Sequence, residues 1–560
     1  MTALRSPDTV MRLARMGASH PTRLSFMRVL LRGLADGGWT ADRPLWEVDG
    51  DGVGRAVYRV RGQGQTYSLV AFAHDLPDEL RSDRVIAEAW DATFALVDGE
   101  PSAEDLDRLA ANVPKQEAGR VSDRELVLSR ANRSGRLWAH VVDRLAEGRQ
   151  PDAALIDEVG YLMRTTAVYG SGKFGAADHE ALKGRALMDG PFRAEMLAVW
   201  LIRAFVADLA EHVARVRGGA GAARLDPALR RSLGIGNATG LGMAPFLVNH
   251  PDLLHAWIAA RETALGRVRD LPVASADSRA AFSRALAGAQ EAALRWRTRD
   301  PVQAAKWDGL RRDMARLSSH VADGALAGAA PWDALWRWAE DSLGLEGQEM
   351  CLSLMLEPHG ELVDDLADTM GADEIAGFAI DGAIPLSLLR EMLSDGFGWA
   401  LGTDYAAAEA SARFWYVSEA KLEPRLGERY AEPGAELEQP LDIARAAAAL
   451  KRDLDGAGEA SVAGFLAAYP RHRRIVRRVQ ALDRAPYREI RDNLLSADMR
   501  PIDMLRCKLA FFGATNFDPR SDRWLRITMY QGAPYPDELH AIPADGWLHH
   551  AGARLAEAAE

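Results

Sequence analysis

The stretch that most constrains this fold lies between Pro191 and Gly218-Gly219. Pro191 suits the first turn of a helix, where its missing N–H is no loss. Residues 196–210 are almost wholly apolar, with Arg203 and Asp208 as the interruptions, and Gly218-Gly219 stops the helix. A helix that is apolar on all sides has to be enclosed on all sides. The chain has no window of about 18 apolar residues, so no membrane span is expected and the enclosure must be protein. With 560 residues there is ample chain to build it, enough for about two to four domains.

Around this helix the pattern predicts more helices. Ser122-Asp123-Arg124-Glu125 has the capping-box form and predicts a long helix toward Leu145, with Leu126, Val127, Ala131, Trp138 and Val141 on its apolar face. Asp152 predicts the cap of the next helix, with Leu155, Val159, Leu162, Thr166 and Tyr169 on one stripe. Further helices are expected at about residues 252–268, 277–298, 302–323, 331–343, 346–356, 384–396, 404–422, 440–454 and 471–483. Strand character is confined to a hairpin, residues 55–60 and 65–72, and to residues 524–530. The expected class is mainly α: a multi-helix globular protein with a small N-terminal β-hairpin and a short C-terminal β element. Composition shifts divide it into a mixed α/β region 1–100, a helical domain 101–325 with two glycine-rich loops, a helical region 326–435, and a helical region 436–560 with a basic helix and a short strand.

Charge and cysteine content narrow the chemistry. The net charge is −12, which argues against a general nucleic-acid or acidic-membrane binder but leaves room for a local basic pocket. Cys351 and Cys507 are the only cysteines, so nothing supports a disulfide framework, a zinc knuckle or an iron–sulfur site. Near the N-terminus, Arg5, Arg12, Arg15, Arg23, Arg28 and Arg32 stand against Asp8 alone. Without an apolar secretion core this reads as a basic surface helix that starts the fold of a cytoplasmic protein.

Lysine is the rare cation. Of 68 basic residues only seven are lysine: Lys115, Lys173, Lys183, Lys306, Lys421, Lys451 and Lys508. Lysine is a compact ammonium that loses its proton when desolvated, whereas arginine stays charged. A lysine kept against such a bias marks a place where arginine would not serve. Three fall in dense words: Val113-Pro114-Lys115-Gln116-Glu117, Gly170-Ser171-Gly172-Lys173-Phe174-Gly175 and Ser418-Glu419-Ala420-Lys421-Leu422-Glu423. The second is not a phosphate-binding P-loop, because Ala167 and Phe174 occupy positions where that motif needs Gly and Ser or Thr. Its glycines can end a helix, and they also let a ligand approach the backbone beside Lys173, with Tyr169 and Arg164 close by in the chain.

A second glycine word runs from Gly234 to Gly242 and contains Asn237 and Thr239. Its spacing is not that of a dinucleotide fingerprint, and no strand is predicted before it. It is expected to be a loop whose N–H groups attract an anion. Residues 129–136 place Ser129, Asn132, Arg133 and Arg136 on adjacent faces at helical spacing, with a pair of arginines aimed at a carboxylate or phosphate and supported by Gln116 and Asn132; Arg130 stands beside them as a further candidate. Arg425 closes the word that holds Glu419 and Lys421.

The expected function is that of an enzyme on a small anionic metabolite. Lys173, Tyr169, Lys421 and Glu419 would do acid–base or lysine-nucleophile chemistry. Lys115, Gln116, Arg130, Asn132, Arg133, Arg164, Asn237, Thr239 and Arg425 would hold the anion. The sequence names no cofactor and no metal. The contrasting reading is a non-catalytic helical scaffold or regulatory subunit, docking through the basic segment 471–491. Fifteen tryptophans make self-association an added expectation.

Overall fold

The structure, a computed structural model, describes residues 2–80, 89–113, 122–167, 182, 184–239, 250–370, 378–405, 415–417, 424–426, 442–491, 500–521 and 524–549. Its frame is a nine-stranded mixed sheet. The first five strands are β1 (Thr40–Val48), β2 (Gly54–Gly62), β3 (Gln65–Ala73), β4 (Ala92–Asp98) and β5 (Glu125–Arg133). They are followed by β6 (Tyr161–Thr165) and β7 (Gly234–Thr239). A separate two-stranded ribbon holds β8 (Trp415–Val417) and β9 (Pro424–Leu426), and the large sheet is completed by β10 (Asn516–Ser521) and β11 (Trp524–Met529). The order across the large sheet is β1-β2-β3-β4-β5-β6-β7-β11-β10. All neighbours are antiparallel except β6 and β7.

A parallel pair needs a crossover connection. Here the connection from β6 to β7 contains the apolar helix predicted from the sequence, Arg193–Gly218. This central helix lies across β2 to β7. Its interrupting Arg203 is buried and donates to the carbonyls of Leu233 (2.7 Å), Ala533 (2.9 Å) and Arg231 (3.0 Å). On the opposite face of the sheet the helix Ala103–Asn112 covers a smaller core of Val57, Val70, Phe72, Ala95, Val97 and Leu128.

The sheet overturns the expectation of a mainly helical chain with a small hairpin. The hairpin is real, as β2 and β3, but β4 to β7 join it to the C-terminal strands. Residues 125–133 are strand β5, and the helix predicted over them begins only at Trp138 and runs to Ala146. Central strands carry apolar side chains on both faces, so they lack the alternation that would separate them from a helix. The next predicted helix stops early, at Val159, because Gly160 takes a left-handed conformation (φ 80°) and turns the chain into β6. The glycine word begins as strand β7, Gly234–Thr239, and not as a loop; its last three residues lie outside the described residues. Trp415–Val417 is a strand within the predicted helix 404–422.

Most of the remaining helices stand where periodicity placed them; Val462–Ala468 is one that it did not mark. Pro251–Arg269, Ala276–Arg295, Pro301–Ala322, Pro331–Ser342 and Leu345–Leu356 join the main core. Leu386–Leu401, Asp442–Gly456, Val462–Ala468 and Arg473–Ala481 build a second, smaller one. Among the described residues no helix is long and apolar enough to cross a membrane.

The N-terminal arginines do not form one surface helix: Arg12 is exposed and Arg23 half-buried, but the other four turn inward. Arg5, Arg15, Arg28 and Arg32 are buried. They meet carboxylates on or beside the helix Leu345–Leu356, which is buried from Glu346 onward. Arg5 bonds Glu262 (2.7 Å) and Glu349 (2.9 Å), Arg15 bonds Glu349 (2.6 Å), and Arg28 forks onto Glu357 (2.6 and 2.7 Å). Arg506 forks onto Glu346 at 2.8 Å through both nitrogens, and His20 reaches the same carboxylate at 3.1 Å. An excess of arginine in sequence is thus an interior ion-pair network in space.

Candidate functional site

The parallel strands β6 and β7 end side by side at Thr165 and Thr239. In sheets with parallel strands, ligand sites form outside the carboxyl ends of those strands. Arg164 lies opposite Asn132 of β5 on one side and opposite Gly236 of β7 on the other. A Cβ on Gly236 would sit 2.6 Å from Arg164 Cγ and 2.8 Å from the Tyr161 ring, so this glycine is the space that the arginine fills. Arg164 and Asn132 are both buried. The Asn132 side-chain oxygen accepts the Asp91 N–H at 3.0 Å, and the Asp91 carboxylate accepts the Arg133 N–H at 2.9 Å.

Two further arginines flank this row. The Arg130 guanidinium lies 4.9 Å over the Trp90 ring, and its strand neighbour Thr166 accepts its backbone N–H at 3.2 Å. Arg133 lies 4.6 Å over Trp138 and pairs with Asp91 at 3.5 Å. Stacking on an indole face keeps a guanidinium oriented while its edge stays able to donate.

Asn237 links the strand ends to a helix from the far end of the chain. Its Nδ2 donates to the Thr165 carbonyl at 2.9 Å, which turns its oxygen toward Lys508. Lys508 Nζ donates to that oxygen at 3.3 Å. Lys508 ends the helix Pro501–Lys508, is fully buried, and lies 5.4 Å from the Phe512 ring centroid. Burial pulls its pKa down to about 7. An amine there exists in both protonation states at neutral pH.

Of the residues singled out in the sequence, Arg130, Asn132, Arg133, Arg164, Asn237 and Thr239 lie on the adjacent strands β5, β6 and β7, with Arg164 on the Gly236 side of the sheet and Asn237, the next residue of β7, on the other. Arg425 falls in the separate β8–β9 ribbon. Lys115, Gln116, Tyr169, Lys173, Glu419 and Lys421 lie outside the described residues. The basic segment 471–491 is partly internal: Arg478 bonds Glu489 at 2.9 Å, Arg488 pairs with Asp252 at 2.5 Å, and Arg471 and Arg491 pair with Asp453 and Asp8.

Lys508 is a functional candidate that lies outside the three dense lysine words of the sequence. Its signal is the opposite of theirs: a rare lysine in an apolar run, with Met504, Leu505, Leu509, Phe511 and Phe512 around it. Among the described residues no group of three or more His, Cys, Asp or Glu side chains is arranged to hold a metal ion. Cys351 and Cys507 are buried free thiols, and burial pushes both up to about 12. Compared with protein-family models, with curated proteins and with solved structures, the chain matches none.

Proposed function

We propose that the protein is an enzyme that binds a small anionic metabolite at the carboxyl ends of β6 and β7 and moves a proton with Lys508. The observation that carries this reading is the fully buried Lys508 held by Asn237 at the end of β7. A desolvated amine with a pKa of about 7 accepts a proton from a substrate, or returns one, without a large driving-force penalty. Arg164 supplies charge for a carboxylate or phosphate, and Arg130, stacked on Trp90, supplies a second fork beside it. Asn132 and Asn237 fix the frame: the first ties β5 to Asp91, and the second sets the direction of the lysine.

The test is calorimetric titration with succinate, citrate and sugar phosphates, on the wild type and on two variants. The wild type is expected to bind one of these anions, and Arg164→Gln to weaken that binding at least tenfold. Binding or turnover should change with pH around 7 in the wild type and lose that dependence in Lys508→Met. Failure of every anion to bind, or a pH response unaltered in Lys508→Met, would overturn the reading.

A further inference from the structure

A cleft of about 810 Å³ opens on a different part of the molecule, between the β1–β2 edge, the central helix and the segments that hold Arg230 and Pro536. Its size is that of a metabolite site. Asp208 and Glu211, one turn apart on the central helix, form its floor. Trp46 and Tyr58 form the wall contributed by the sheet.

The cleft already holds two guanidinium groups in one manner. Arg43 lies 4.4 Å over the Trp46 ring and donates to Asp208 at 2.7 Å. Arg230 lies 4.0 Å over the Tyr535 ring and reaches Asp208 at 3.5 Å. Each combines an aromatic face with a carboxylate, the arrangement by which proteins recognise organic cations. Asp208 also accepts the Tyr58 hydroxyl at 2.6 Å, so its acceptor capacity is well used. Glu211 differs. One of its oxygens accepts the Leu225 N–H at 3.0 Å, and among the described residues no cation lies at ion-pairing distance from it. Burial raises the pKa of this carboxyl, a cost that a bound cation would remove.

We propose that this cleft binds an organic cation, a primary amine or guanidine, whose charge rests on Glu211 and whose body lies along Trp46. Arg215 and Arg224, both exposed where they line the cleft, favour a ligand whose far end is a carboxylate. A basic amino acid therefore fits better than a simple diamine.

Calorimetric titration with L-arginine, agmatine and succinate tests this directly. L-arginine is expected to bind more tightly than agmatine, and succinate not to bind in the cleft. Glu211→Gln should weaken both cations at least tenfold. Trp46→Leu, at the half-buried sheet edge, should weaken them several-fold and carries the test if Glu211→Gln does not fold. Lys508→Met should leave cation binding unchanged, which separates this cleft from the strand-end site. Absence of cation binding, or equal affinity in Glu211→Gln and Trp46→Leu, would overturn the proposal.

Discussion

The helical side and the strand ends both bury cations, and they treat them differently. Around the helix Leu345–Leu356 each buried guanidinium meets a carboxylate, often with two bonds, as in Arg506 with Glu346 and Arg28 with Glu357. At the end of β7 Lys508 donates to the neutral amide oxygen of Asn237. Glu346 and Lys508 are both buried, and their pKa values move in opposite senses relative to what burial alone would do. For Glu346 burial alone would raise the pKa, but Arg506 and His20 more than offset it and hold it down to about 2. For Lys508 desolvation prevails and the pKa falls to about 7. The first region stores fixed charge, which is structure. The second keeps a proton in play at neutral pH, which is chemistry.

The largest expected effect would break the helical side. Glu349→Ala leaves Arg5, Arg15 and Arg261 short of a shared counter-charge. Removing one member of a buried pair costs about 3–5 kcal/mol, measurable by urea unfolding. A loss below about 1 kcal/mol would erase the distinction between the two regions.

A smaller effect sharpens the other side. The Lys508 amine has an ordinary value of 10.5 and a folded value of about 7. Between these the unfolded chain binds a proton that the folded chain does not, so stability should rise as pH rises through that window. Below about pH 7 both states are protonated and the burial penalty is present in full. Lys508→Met removes the slope and stabilises the fold near pH 7 by roughly 1–3 kcal/mol, once the lost Asn237 bond is counted. Unfolding curves for both proteins at pH 7, 8.5 and 10 would show it, and parallel curves would mean that Lys508 is not desolvated.

The smallest effect sets the baseline. Lys451 pairs with Asp455 at 2.6 Å on an exposed helix face. Lys451→Ala should change stability by less than about 0.5 kcal/mol in the same assay, because surface pairs are screened and mobile.

Part of the site was legible from residue chemistry even where the fold was misread. Helical spacing groups Asn132 and Arg133, and the structure keeps them adjacent in the chain on β5 but on opposite faces of the sheet. Asn237 and Arg164 stood in separate words and became neighbours through the parallel pairing of β6 and β7. Lys508 was legible only as a rare residue. Its partner Asn237 is 271 positions away, and nothing local announces such a contact.

By itself the sequence determined what local periodicity can carry. It set the enclosed helix Arg193–Gly218, the β2–β3 hairpin and the helices from Pro251 to Leu356, because a stripe of apolar residues at helical spacing has one good way to be buried. Tertiary structure alone decided that β4 to β7 are strands, that Arg5, Arg15, Arg28 and Arg32 face inward, and that Lys508 sits on Asn237. Strand pairing and the burial of charge depend on partners tens to hundreds of positions away. Their energy comes from contacts that exist only after the chain has closed on itself.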